Sequence, residues 1–282
     1  MTVQHKKALS PSLKEKLLEF KEFFEGKSVV IAYSGGVDSS VLAELGYRYA
    51  KRMLTVTADS PTVLPGEVEE ATLLAEKRKW NHRVIRINEL EDPNFVANPI
   101  DRCYYCKHGL SEALKTVAEQ FKADVIVEGT NFSEVRGHRP GLRALKEHSV
   151  NSPLLQGKLT KDDIRQLAHY FGLPNADKPS LACLSSRFPP GERITVKKLQ
   201  RVGKAERYLM DTYGIRVVRV RDHDGLARVE VAAEEREKLL EGQILDDINQ
   251  RFKEFGYRYA AIDCGGYRTG SLVQAILEES DL

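Results

Sequence analysis

Residues 29 to 45 constrain this chain more than any other stretch. The apolar run Val29-Val30-Ile31-Ala32-Tyr33 reads as a short buried strand, and Val41-Leu42-Ala43-Glu44-Leu45 reads as a helix. Between them lies Ser34-Gly35-Gly36-Val37-Asp38-Ser39-Ser40. A strand that passes through a glycine-rich turn into a helix presents unpaired backbone N–H groups to an anion. Gly35 and Gly36 allow positive φ and let the backbone approach a phosphate with no Cβ in the way. Ser34, Ser39 and Ser40 add hydroxyl donors, and Asp38 can orient a metal or a ribose.

The turn lacks the lysine that would make it a Walker loop. It resembles instead the SGGxDS signature of the PP-loop pyrophosphatases, which cleave ATP between its α and β phosphates. That resemblance implies ATP with Mg2+ bound by Ser34, Gly35, Gly36, Asp38, Ser39 and Ser40.

The surrounding pattern predicts alternating helices and strands. Residues 12–25 are amphipathic at helical spacing, 54–59 and 83–87 read as strands, and 67–79 reads as a helix. A proline-bearing loop at 88–101 precedes a helix that opens at Arg102 and runs to Phe121, and 123–128 reads as a fourth strand. This alternation predicts a parallel sheet covered by helices on both faces. Ligands of such sheets lie at the carboxyl ends of strands, which nominates Thr57, Ala58 and Asp59, and then Gly129-Thr130-Asn131, as neighbours of the nucleotide. Arg136 to Leu145 reads as a basic loop round a Pro-Gly turn, with Arg139 and Arg143 as phosphate or substrate contacts. Ser152-Pro153-Leu154-Leu155 reads as a short fifth strand, and Thr160 caps a helix to about Phe171.

From Lys178 to Gly191 the sequence has no period and is rich in proline, the mark of a seam. The expected division is 1–185 for an α/β nucleotide domain and 186–282 for a smaller α+β domain. In the latter, helices at 195–213 and 233–255 and strands at 215–221, 227–231 and 257–263 give the order αββαβ. Arg219 and Arg221 share one face of their strand, a suitable fork for a phosphate.

With 41% hydrophobic and 30% charged residues in 282, the chain is long enough for two cores and is not disordered. A formal net charge of +2 argues against a dedicated nucleic-acid binder. No apolar run approaches a membrane span, and Met1 to Ser10 contain no signal-peptide core. The expected location is therefore cytoplasmic, where Cys103, Cys106, Cys183 and Cys264 belong to chemistry or metal binding more readily than to disulfides.

Several stretches together resemble the LarE-type sulfur transferases, PP-loop enzymes of nickel-pincer nucleotide synthesis. They are Ser34–Ser40, Glu128–Asn131, Arg139–Leu145, Lys178–Pro179 with Cys183–Arg187, and Gly266–Ser271. The likeness runs from about residue 12 to 273. It implies an adenine nucleotide alpha hydrolase-like domain followed by the smaller one. It also implies a small-molecule substrate, a pyridinium biscarboxylate mononucleotide, with one carboxylate adenylated by ATP and then converted to a thiocarboxylate. Cys183 would be the attacking thiolate, with Arg187 a candidate to lower its pKa. Lys107 would stabilise developing negative charge, Glu206 would act as a base, and Arg219 with Arg221 would hold the substrate phosphate. Two sulfur sources remain open on this resemblance. One is Cys183 itself, left as dehydroalanine; the other is a [4Fe-4S] cluster on Cys103, Cys106 and Cys183. The likeness further implies a homo-oligomer, for which Tyr257, Tyr259 and Tyr267 are candidate contacts.

Three other readings compete. A PP-loop tRNA thiolase would need a basic surface or an RNA module. An amide-forming adenylating synthase would not need Cys183. A nucleotide sensor would bind ATP without releasing pyrophosphate.

Overall fold

A computed structural model describes residues 9–135 and 139–268. Arg136, Gly137 and His138 of the basic stretch lie outside the described residues, as do Thr269, Gly270 and Ser271. In chain order the elements are α1 (Pro11–Phe24), β1 (Ser28–Ala32), α2 (Val37–Tyr49), β2 (Arg52–Asp59), α3 (Glu67–Arg78) and β3 (His82–Arg86). There follow α4 (Pro93–Val96), α5 (Arg102–Phe121), β4 (Val125–Val127), α6 (Pro140–Glu147), α7 (Pro153–Gln156) and α8 (Lys161–Tyr170). The chain continues with α9 (Val196–Tyr213), β5 (Val218–His223), β6 (Leu226–Val231), α10 (Gly242–Glu254) and β7 (Tyr259–Ile262). No described helix is long and apolar enough to cross a membrane.

Two compact units result. One comprises the chain up to Ser60, Gly66–Ile87 and Cys103–Ser180; the other takes Pro61–Pro65, Asn88–Arg102 and the chain from Leu181 onward.

In the first unit a parallel sheet has the order β3-β2-β1-β4. Alternation along β1 explains its two layers. Val29 and Ile31 pack with Phe20, Leu42, Leu45, Ala75 and Leu167 of α1, α2, α3 and α8, while Val30 packs with Leu54, Val56, Leu114 and Val117 on the α5 side. The chain steps outward from β1 to β2 to β3, then returns to place β4 on the other side of β1. The order therefore reverses between β1 and β4, and the crevice beyond their carboxyl ends is where such sheets bind ligands.

Two expectations here are corrected. Residues 152–155 are not a strand: Pro153 and Pro140 each sit at the start of a helix, where a missing N–H costs nothing. Only Asn151 bridges to the sheet, against Val127. The start of α8 is as expected, and Thr160 and Asp163 form a capping box.

In the second unit β5 and β6 form an antiparallel hairpin and β7 adds parallel to β6. The two-residue turn is Asp224-Gly225, at φ 47° and 94°, the positive pair that a type I′ turn demands. Val218, Val220, Ala227, Val229 and Val231 pack on Leu209 of α9 and on Ile248 and Phe252 of α10. The expected helix at 233–255 divides into a 3-10 segment, Ala233–Leu239, and α10. Of the three tyrosines expected at an interface, Tyr257 is buried in this core and Tyr259 is 69% exposed.

Candidate active site

The turn after β1 is shaped by its small residues. Gly35 has φ 73°, and a Cβ there would stand 2.9 Å from the Cβ of Ala71. Gly36 is the N-cap of α2. Ser34 N–H donates to Ser39 Oγ at 3.2 Å, and Ser39 Oγ donates to Gly36 O at 3.1 Å, which closes the turn on itself. Asn175 fastens it from outside, donating through Nδ2 to Gly35 O at 2.9 Å and to Ser40 Oγ at 2.8 Å. The N–H groups of the first turn of α2 then face the crevice side of the sheet, with the positive end of the helix dipole.

The end of β4 meets this turn closely. A Cβ on Gly129 would lie 3.1 Å from Ser39 N and 3.3 Å from Ser39 Cα, so glycine is what lets the two carboxyl-end loops touch. Lys161 Nζ pairs with Asp38 Oδ2, and Asn131 Nδ2 donates to Asp38 Oδ1 at 3.3 Å. Asn131 is fully buried, and its Oδ1 has no hydrogen-bond partner among the described residues. Burial, and next the charge of Asp38, hold the Glu134 carboxyl above the usual carboxylate range. Arg139 is exposed at the N-cap of α6, and its charge acts on Glu134 in the opposite sense. Arg143 lies over the Tyr104 ring at 4.0 Å.

Glu128 is the buried hub beside this crevice. It accepts from Lys107 Nζ at 3.2 Å, from Thr130 N–H at 3.0 Å and Thr130 Oγ1 at 2.8 Å, and from Ser152 Oγ. Burial alone would raise its carboxyl, but Lys107 and these hydroxyl and amide donors outweigh it and hold the group low. Lys107 is held high in turn: burial opposes its charge, and Glu128 more than restores it. Thr57 is buried on β2 and donates its hydroxyl to Tyr33 O at 2.7 Å. Cys103 and Cys106 stand one turn apart near the start of α5, the former exposed.

The second unit carries Cys183, exposed at the head of the 3-10 turn Leu184–Arg187. Arg187 is buried and faces Glu206 fork to fork, Nε to Oε1 and Nη2 to Oε2, each at 2.7 Å. Its remaining edge donates to Ala182 O at 2.9 Å and to Cys183 O at 3.0 Å. Glu206 Oε1 also accepts from Val220 N–H at 2.8 Å, on the outer edge of β5. Both carboxylate oxygens are thus engaged, and the pair bolts α9 and β5 to the Cys183 loop. Arg219 and Arg221 do share a face, opposite Val218 and Val220, but both are buried. Arg221 is forked on Glu230 at 3.0 and 2.7 Å and donates to Ser186 O at 2.8 Å. Arg219 lies over the Tyr267 ring at 5.0 Å, and burial together with the charge of Arg187 draws its pKa below that of an ordinary arginine.

The structure thus joins Ser34, Gly35, Gly36, Asp38, Ser39, Ser40 and Gly129 around one crevice, and Cys183, Glu206 and Arg221 around one buried network. Lys161 and Asn175 escaped the sequence reading because a residue beside a helix cap or after a proline carries no local sign of what it will touch. Among the described residues no group of three or more His, Cys, Asp or Glu is placed to hold a metal ion. Cys103 and Cys106 belong to the first unit and Cys183 to the second.

A parallel sheet whose order reverses beside an SGGxDS turn defines the chain as a PP-loop protein. No family model matches it. Curated relatives do: an uncharacterized protein of Synechocystis is 41% identical over 262 residues, 92% of this chain and 97% of the relative. The pyridinium-3,5-bisthiocarboxylic acid mononucleotide synthase of Lactiplantibacillus plantarum is 31% identical over 249 residues, 86% of this chain and 88% of that enzyme. A glutamine-hydrolyzing GMP synthase component of Methanococcus maripaludis is 28% identical over 180 residues, 58% of this chain and 56% of the relative. The chain belongs to the LarE family, that of the Lactiplantibacillus synthase.

Proposed function

We propose that the protein is an ATP-dependent sulfur transferase acting on a pyridinium-3,5-biscarboxylate mononucleotide in nickel-pincer cofactor synthesis. The observation that carries this reading is an exposed thiol, Cys183, on a loop whose main chain is held by the buried Arg187 and Arg221. The relative of known name makes the corresponding bisthiocarboxylic acid.

The first step is activation of a carboxylate. Carboxylate oxygen attacks the α phosphorus of ATP, and pyrophosphate leaves. The N-terminus of α2 with Ser34, Ser39 and Ser40 binds phosphate oxygens, and Lys161, released from Asp38, is free to join them. Asp38, Glu134 and the Oδ1 of Asn131 are the oxygen donors that would hold Mg2+, whose charge would offset that of the triphosphate. Lys107, held beside Glu128, would stabilise negative charge on the acyl centre.

In the second step the Cys183 thiolate attacks the acyl carbon and AMP leaves with the bonding pair, forming a thioester. A base then removes the Cys183 Cα proton and the Cβ–S bond breaks with its electrons on sulfur. The products are a thiocarboxylate and dehydroalanine. Glu206 serves here as a positioning residue, since Arg187 occupies both of its oxygens. The substrate phosphate is assigned to the face of Arg219 and Arg221, which must be uncovered to receive it, since both are buried and Arg221 is forked on Glu230.

Incubation with ATP and the biscarboxylate nucleotide tests the reading. Wild type is expected to release pyrophosphate and AMP and to form thiocarboxylate, whereas Cys183→Ala is expected to release pyrophosphate without forming thiocarboxylate. Full AMP-forming turnover by Cys183→Ala, with an amide in place of the thiocarboxylate, would favour chemistry of the GMP synthase kind, the reading that the Methanococcus similarity supports.

A further inference from the structure

The Cys183 loop is held by its own arginine and also by an earlier segment of the same unit, Asn88–Arg102. Asn98 is fully buried and adopts φ 54°, a left-handed conformation that asparagine tolerates better than most residues. Its N–H closes its own turn on Phe95 O at 3.0 Å, and its other polar groups reach the segment after Cys183 directly or through Arg102. Its Nδ2 donates to Pro189 O at 2.7 Å, and its backbone carbonyl accepts from Gly191 N–H at 2.7 Å. Its Oδ1 accepts from Arg102 Nη1, and that same nitrogen donates to Ser185 O at 3.0 Å. Ser185 is fully buried, two residues beyond the thiol. One asparagine therefore ties the far end of the segment directly and its near end through Arg102. Val96 O reinforces the seam by accepting from Ile194 N–H at 3.0 Å.

We propose that Asn98 and Arg102 are a positioning clip for the Cys183 thiol. The proposal rests on the sulfur-transfer reading above. A proline-bearing loop left untied would sample many conformations, and ordering it costs conformational entropy. The clip removes that freedom before the acyl adenylate forms, so that the sulfur meets the acyl carbon in line for attack. Its influence falls on the step in which the S–C bond forms and AMP leaves. ATP binding and pyrophosphate release belong to other residues and are untouched by it. The two carbonyls it holds, Ser185 O and Pro189 O, are main-chain groups that lie on either side of Arg187, so the clip and the Arg187–Glu206 pair fix the loop from two directions.

The experiment uses the full-length protein with three substitutions. Asn98→Gly keeps the left-handed backbone and deletes the amide together with its methylene. Arg102→Met removes the guanidinium, and Arg102→Lys retains one donor with the charge. Two rates are read: single-turnover thiocarboxylate formation, and iodoacetamide alkylation of Cys183 followed by peptide mass spectrometry, with Cys264 as internal reference. Asn98→Gly and Arg102→Met are expected to slow thiocarboxylate formation by about 10- to 100-fold while pyrophosphate release and KM for ATP stay at wild-type values. Cys183 alkylation should change relative to Cys264, and Arg102→Lys should fall between wild type and Arg102→Met. Unchanged Cys183 alkylation in the folded variants would overturn the proposal, as would equal losses of pyrophosphate release and thiocarboxylate. Should one variant fail to fold, Arg102→Lys carries the same two readouts. Alkylation needs no turnover, so it decides the clip even where Cys183→Ala shows the sulfur-transfer reading itself to be wrong.

Discussion

Arg187 and Glu206 meet through both edges of the guanidinium, at 2.7 Å on each side, with both side chains only 1% exposed. Neither ion could stay dry alone. Glu206→Ala leaves Arg187 buried without its counter-charge and is expected to cost about 3–5 kcal/mol, whereas Arg187→Met with Glu206→Leu should recover much of that loss. Urea unfolding of Glu206→Ala, of Arg187→Met and Glu206→Leu singly, and of the double variant checks both values. Additive losses in the double variant would contradict the pairing.

The Asp38–Lys161 contact links the glycine turn to the start of α8. Asp38→Ala should reduce pyrophosphate release by about 100-fold or more, and Lys161→Ala should reduce it by a smaller factor with a raised KM for ATP. A pyrophosphate-coupled assay distinguishes them. Release at the wild-type rate in Asp38→Ala would remove the nucleotide site from this crevice.

Gly129→Ala places a methyl 3.1 Å from Ser39 N, against backbone that cannot swing away. The expected result is a loss of about 1–3 kcal/mol in stability together with weaker ATP binding. Thermal unfolding with and without ATP measures both, and the ligand-induced rise in Tm should shrink in the variant.

Glu128 and Lys107 make the first unit sensitive to pH in a defined direction. The Glu128 carboxyl is held low in the folded state, so its contribution is present above the unfolded value of about 4.3 and is lost as pH falls through the folded value. Lys107 is held high, so its share is present below about 10.4 and is lost as pH rises through its folded value. The Tm difference between wild type and Lys107→Met should accordingly be flat between these limits and shrink on acidification. A difference that grows as pH falls below the carboxylate range would contradict the assignment.

Much of this fold was legible because local and tertiary signals agree. Strand β1 and the glycine turn are read from five apolar residues and two glycines, and the start of α8 from the cap chemistry of Thr160. Legibility failed where proline has two uses. Pro140 and Pro153 break a strand or loop pattern and equally begin a helix, and nothing within their own segments decides between the two. It was partial at Arg219 and Arg221. Their shared face was legible, but their burial depends on Glu230 of β6 and on Ser186 of the Cys183 loop, which the strand's own pattern does not announce. The clip at Asn98 was hidden for the same reason: its significance lies in Pro189 and Gly191, which the sequence places about ninety residues away.

The central claim is that Cys183 gives up its own sulfur. Intact mass of anaerobically purified protein, recorded with iron and sulfide content before and after one turnover with ATP and the biscarboxylate nucleotide, tests it most directly. The account predicts a protein free of iron that becomes lighter by one hydrogen sulfide, with dehydroalanine at position 183. Repeated turnover at unchanged mass, accompanied by bound iron and sulfide, would contradict it.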